Sequence, residues 1–156
     1  MCGSRESTYE DFRMAVREHT SAVVLMLVDA EAPVTQPERE HLLSVDGWDL
    51  SFARQNQIHL MAQMMESWFL ADPDALQQFY GHGFRVSALP ASPDVEQVPK
   101  NTVEKALASA TRQTRPGAYH KTKHAPQLLA NLSPARVRAR APRCDRLFWA
   151  LQSYGR

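Results

Sequence analysis

Apolar residues follow two periods along this chain, and the switch between them predicts most of its elements. The run Val23-Val24-Leu25-Met26-Leu27-Val28 is uninterrupted and closes on Asp29-Ala30-Glu31. Its length and β-branched content predict a strand over residues 22–29, and the lack of polar alternation predicts cover on both faces. Ahead of it, Tyr9, Phe12, Val16 and His19 recur at helical spacing behind the capping-box pattern Ser7-Thr8-Tyr9-Glu10, which predicts a helix over residues 7–19. Residues 32–57 keep neither period. With Pro33, Pro37, Gly47 and scattered acids they read as a long surface connection, anchored by Trp48 and Phe52.

Residues 58–63 alternate like a second strand and give way near Met64 to a helix carrying Met65, Trp68 and Phe69. Asp72-Pro73-Asp74 offers an N-cap followed by proline at the first helical position, and Gly81 stops that helix after Tyr80. Glycines and prolines then predict a loop over 81–99, with a short extended piece at 84–89. Beyond it the period is helical throughout. Asn101 is placed to cap a helix reaching Arg112, with Val103, Ala106, Leu107 and Ala110 inside. Arg115-Pro116-Gly117 marks a turn, and helices follow near 127–131, from Ser133-Pro134, and along Cys144, Leu147, Phe148 and Leu151. The pattern predicts an α/β fold: a small, mostly parallel sheet flanked by helices, with a helical C-terminal half. A sheet of two strands needs helices, further strands or a partner to complete it.

At 156 residues and 44% hydrophobic, the chain suits one domain over 1–156, and a domain of this size buries roughly 70% of its unfolded surface. The apolar run at 22–28 falls far short of the about 20 residues that span a bilayer, so no membrane segment is expected. Arg5, Glu6, Glu10 and Asp11 stand where a secretory signal needs an apolar core, which predicts a cytoplasmic protein. Cys2 and Cys144 belong to no Cys-x-x-Cys pair and read as ordinary thiols. The net charge of +1 conceals a division: residues 1–99 hold 6 Lys/Arg against 15 Asp/Glu, and the basic helical part, residues 100–156, holds 12 against 2. Either the basic part meets phosphate while the acidic part holds metal, or the two neutralise each other inside the fold.

The chemistry-bearing positions fall into three groups. Asp29 and Glu31 follow the first strand, where open α/β sheets keep their sites. In extended backbone, residues two apart face the same way, so the pair is expected to converge on one hard cation or basic group; the alternative is that Glu31 faces solvent. Glu66 lies among Met64, Met65, Trp68 and Phe69. If buried, it requires a cation or hydrogen-bond donor to hold its charge; otherwise it is an exposed helix position. His120, Lys121, Lys123 and His124, with Arg112 and Arg115 upstream, concentrate donors suited to phosphate oxygens, or form a basic surface loop. His120 and His124 have the spacing of a helical metal pair, but no further ligand pattern supports zinc. Arg136, Arg140 and Arg143 share one helical face and either meet a phosphate backbone or solvate their helix. The lack of a Gly-rich phosphate loop, a Gly-x-Ser-x-Gly elbow or a Cys/His nucleophile pattern excludes P-loop and serine-hydrolase chemistry.

The stretches Leu27-Val28-Asp29-Ala30-Glu31, His59-Leu60-Met61-Ala62-Gln63-Met64-Met65-Glu66-Ser67-Trp68-Phe69-Leu70-Ala71-Asp72 and Tyr119-His120-Lys121-Thr122-Lys123-His124 occur in an order that resembles the bacterial family known as domain of unknown function 4276. The likeness runs from Gly3 almost to the carboxyl terminus, and Met65-Glu66-Ser67-Trp68-Phe69-Leu70-Ala71-Asp72 is its most specific mark. That family looks Toprim-like, which implies a central, largely parallel sheet and an acidic site for Mg²⁺ or Mn²⁺. By position, Asp29 and Glu31 resemble the Toprim Asp-x-Asp pair, with Glu in second place, and Glu66 matches the family's Met-Glu-x-Trp glutamate. Family members usually begin with an earlier strand and a glycine-containing segment, and Toprim catalysis also draws on a glutamate there. This chain starts at Met1-Cys2-Gly3-Ser4-Arg5, so an N-terminally incomplete domain is expected.

The resemblance implies a divalent-metal-dependent phosphodiesterase or nuclease acting on nucleic acid. Asp29, Glu31 and Glu66 would be its metal-binding catalytic residues, and Arg115, His120, Lys121 and Lys123 its phosphate contacts. The competing expectation is a non-catalytic interaction module: a partner subunit, as in ATPase-associated defence systems, or a homo-oligomer in which another chain completes the sheet edge.

Overall fold

The computed structural model describes residues 4–154, so the thiol expected at Cys2 lies outside the described residues. Helix α1 (Arg5–Glu18) begins before the predicted Ser7, because Ser4 stands in extended backbone and its hydroxyl accepts the Ser7 N–H. Phe12 buries one face of α1, and Tyr9 stacks on Trp48 at 5.0 Å between ring centroids. Strand β1 (Met26–Asp29) is shorter than the apolar run and alternates between buried and half-buried positions. The expected continuous cover fails at Val23, which is exposed, because the run begins ahead of Met26, where its pairing with a second strand starts.

That partner is β2 (Ile58–Met61), parallel to β1 in the register Met26 to Ile58 through Asp29 to Met61. Parallel pairing demands a crossover, and its helical part is α2 (Glu38–Asp46), inside the segment predicted to be a surface connection. Its inner face hid it from the apolar pattern: the buried residues are Glu38, His41 and Leu42, two of them polar. His41 donates from Nε2 to the Ala30 carbonyl at 2.9 Å, and Glu38 accepts from Arg146 at 2.7 Å. Gly47 ends α2 at φ 74°, a left-handed conformation that a side chain would strain. Trp48 is buried as expected, whereas Phe52, packed against Phe12, remains 37% exposed.

After β2 the chain is helical. Asp72 separates α3 (Ser67–Ala71) from α4 (Pro73–Tyr80), and its carboxylate accepts the Ala75 N–H as the predicted N-cap. The expected extended piece at 84–89 is instead a 3-10 turn at Val86–Ala88, followed by another at Val95–Gln97. Helix α5 (Lys100–Thr111) starts directly after Pro99 rather than from an Asn101 cap, and buries Val103, Ala106, Leu107 and Ala110 as predicted. A turn closes when Gly117 N–H reaches the Thr114 carbonyl. Then come α6 (Lys121–Asn131), α7 (Pro134–Arg140) and α8 (Pro142–Tyr154). Along α8 the predicted stripe buries Cys144 and Leu147 but leaves Leu151 exposed.

Two apolar clusters result. One gathers Phe12, Met26, Val28, Leu42, Ile58 and Leu60 around the sheet; the other gathers Phe69, Leu76, Val103, Leu107, Leu128 and Val137 among the later helices. The segment between β2 and α3 joins them, which sets the end of the sheet beside the helical half. Among the described residues no helix is long and apolar enough to cross a membrane.

Candidate functional site

Asp29 ends β1, and the turn after β2 fixes its carboxylate: Oδ1 accepts the Met65 N–H at 2.7 Å. Oδ2 lies 3.6 Å from the Lys121 ammonium. Burial pushes the Asp29 carboxyl above the usual carboxylate range, against the opposing pull of Lys121 and the Met65 hydrogen bond; Glu66 and Glu31 push it further up.

Glu66 directly precedes α3 and is only 2% exposed. Burying a carboxylate at that depth requires donors, and the third quoted stretch supplies them. The Tyr119 hydroxyl donates to Oε1 at 2.8 Å, and the Lys121 ammonium stands 3.4 Å from Oε1 and 3.5 Å from Oε2. The buried alternative for Glu66 therefore holds, with its charge met by a phenol and an amine. Lys121 bridges Asp29 and Glu66, two acids distant in sequence and one of them deeply buried. In return, burial and the Glu66 charge raise the Tyr119 phenol far above its ordinary pKa.

Glu31 meets the site differently from the strand-based expectation. Regular β geometry ends at Asp29, and Glu31 sits at φ 63° with its N–H on the Gln63 carbonyl at 2.8 Å. The same-face rule for extended backbone stops applying there. Its carboxylate pairs with the Lys100 ammonium, and this pairing raises the Lys100 pKa. Lys100 and Tyr119 were not singled out as site residues by the sequence. Tyr119 stood within a family stretch, but nothing local marks Lys100, which reaches the site because Pro99 ends a loop beside Gln63. Met64, Glu66, Lys100, Glu104, Tyr119 and Lys121 line a cleft of about 310 Å³.

The expected basic loop is the first turn of α6 rather than a loop. His120 and Lys123 are exposed on it, and Arg115 is exposed on the preceding turn. His124 points inward instead: Nδ1 accepts from the Tyr80 hydroxyl at 3.0 Å and from the His120 N–H at 3.2 Å. Burial lowers its pKa, and with Nδ1 engaged inside the fold it is placed as a core histidine rather than a surface phosphate contact. Arg136, Arg140 and Arg143 are likewise engaged within the fold. Arg136 reaches Asp72 at 2.9 Å, Arg140 the Leu70 carbonyl at 2.8 Å, and Arg143 Glu96 at 3.0 Å. The three do not share one helical face, since Arg143 belongs to α8, and Arg140 and Arg143 are part-buried, whereas Arg136 stays exposed beyond its ion pairs.

Divalent magnesium or manganese takes oxygen donors, commonly one or two protein carboxylates completed by water and substrate phosphate. Asp29 and Glu66 supply such a pair around a position already suited to positive charge. Among the described residues no group of three or more His, Cys, Asp or Glu side chains is gathered as a ready-made ligand set. The fit is therefore to a two-carboxylate site that leaves positions for a phosphate, not to an all-protein cage.

Compared with known proteins, residues 3–152 match the profile of DUF4276, a domain of unknown function. No curated protein and no solved structure matches the chain.

Proposed function

The chain belongs to the DUF4276 family, and from that premise we propose that it is a Toprim-like, divalent-metal-dependent phosphodiesterase or nuclease acting on nucleic acid with Mg²⁺ or Mn²⁺. One observation carries the reading: two carboxylates from separate elements converge on a single ammonium at the carboxyl end of a parallel strand pair, beside an open cleft. Asp29 and Glu66 are the residues that would hold the ion. When bound, it would supply charge to the phosphoryl oxygens and a more acidic water.

The chain's own groups do the positioning. The Met65 N–H aims the Asp29 carboxylate, and the Tyr119 hydroxyl aims that of Glu66. Glu31 and Lys100 form a charge pair beside them. Arg115, His120 and Lys123 present exposed donors around the first turn of α6, where a phosphate backbone gains charge-assisted hydrogen bonds. The test is cleavage of end-labelled single- and double-stranded nucleic acid in Mg²⁺ and in Mn²⁺. Asp29→Ala and Glu66→Gln should each lower the rate by about 100-fold or more. No cleavage by wild type with either ion, or full activity in Asp29→Ala, would sink the proposal.

A second reading draws on a different fact: Lys100 and Lys121 already neutralise the acids. On this reading the pairs are structural and the chain is a non-catalytic partner subunit. It predicts no cleavage and no metal binding, together with a stable assembly with another protein or a second copy of this chain.

A further inference from the structure

We propose that Lys121 is a resident counter-ion, holding the cation position between Asp29 and Glu66 until a divalent ion takes its place. This rests on the metal-binding reading above and adds the event that opens the site.

The acids are fixed and the base is loose. Asp29 is tied to the Met65 N–H at 2.7 Å and Glu66 to the Tyr119 hydroxyl at 2.8 Å. Lys121, by contrast, approaches them at 3.4 to 3.6 Å, longer than the about 2.7–2.9 Å of a strong charge-assisted bond. Its side chain is 57% exposed where that of Glu66 is 2% exposed, so the ammonium reaches inward from solvent on a flexible four-carbon stem. Lysine at the first position of α6 can swing out without disturbing the helix behind it.

Without a cation, two carboxylates this close would repel each other, and Lys121 removes that penalty. A divalent ion there brings twice the charge, and a lysine ammonium left beside it would be repelled. Occupancy is therefore exclusive. Lys100 shows the contrast: it is engaged with Glu31 and has no contact bridging Asp29 and Glu66 among the described residues.

The test is calorimetric titration of Mn²⁺ into the full chain as wild type, Lys121→Met and Lys105→Met. Exchange predicts that Lys121→Met binds Mn²⁺ about threefold or more tighter than wild type, while Lys105→Met, on the exposed side of α5, matches wild type. Wild-type binding with unchanged or weaker binding in Lys121→Met overturns the exchange and leaves the metal-binding reading standing. No binding in either protein overturns both. Amine labelling followed by mass spectrometry needs no variant: in wild type, Mn²⁺ should raise labelling of Lys121 relative to Lys105. An unchanged ratio at saturating Mn²⁺ overturns the exchange.

Discussion

At Asp29, function and stability oppose each other within one side chain. Burial raises its carboxyl pKa, so the folded state holds that proton more tightly than the unfolded chain does. Ionisation therefore costs stability as the pH rises past the usual carboxylate range. Asparagine keeps an oxygen for the Met65 N–H and carries no charge. In metal-free buffer Asp29→Asn should be more stable than wild type by about 1 kcal/mol at pH 7. The advantage should vanish at about pH 3, where the wild-type group is protonated in both states. Denaturant midpoints at the two pH values check this. Asp29 stood out as an acid closing an apolar strand, and Glu66 through the Met-Glu-x-Trp motif of the family it resembles; the structure brings both to one ammonium. The geometry at Glu31 was not legible, since a left-handed conformation at a non-glycine residue leaves no mark in the sequence. Nor was Lys100, whose partner Glu31 lies far away along the chain.

Elements were legible where a cap marked the start, as at Asp72-Pro73, or an apolar stripe marked the inner face, as along α5. They were missed where a buried face is polar. Helix α2 turns Glu38 and His41 inward against Arg146 and the Ala30 carbonyl, so a core helix looks like a connection. Helix α6 starts with Lys121, Thr122, Lys123 and the buried His124, which a reader of charge takes for a surface loop. Asp72 shows how far one polar residue reaches between elements. It caps α4, accepts the Ser133 N–H at 2.9 Å ahead of α7, and pairs with Arg136 at 2.9 Å. Asp72→Ala should cost about 2–3 kcal/mol by removing the cap and leaving the Ser133 N–H without its partner. Urea denaturation followed by circular dichroism measures this, and a loss under about 0.5 kcal/mol, the scale of ordinary surface substitutions, would contradict the assignment.

Across the whole molecule, part of the charge division is neutralised inside the fold, while Arg115 and Lys123 stay exposed. Basic groups of residues 100–156 return to the acids of the first part: Arg143 to Glu38 and Glu96, Arg146 to Glu38, Arg136 to Asp72 and Asp74, and Lys100 to Glu31. Lys121 belongs to the same set, bridging Asp29 and Glu66 at 3.4 to 3.6 Å. The sequence made the charge division visible; it did not show which partners meet, because that follows from packing the helical half against the sheet. The site lies where these two parts meet, with Asp29 contributed by the sheet and Glu66, Tyr119 and Lys121 by the segments that follow β2. If Asp29 and Glu66 together form a divalent-cation site, an anomalous-difference map from crystals grown with Mn²⁺ will reveal the ion. One peak is expected between the Asp29 and Glu66 carboxylates, at about 2.0–2.4 Å from an oxygen of each, with the Lys121 ammonium moved away. A map with no peak there and Lys121 still bridging the two acids would contradict it.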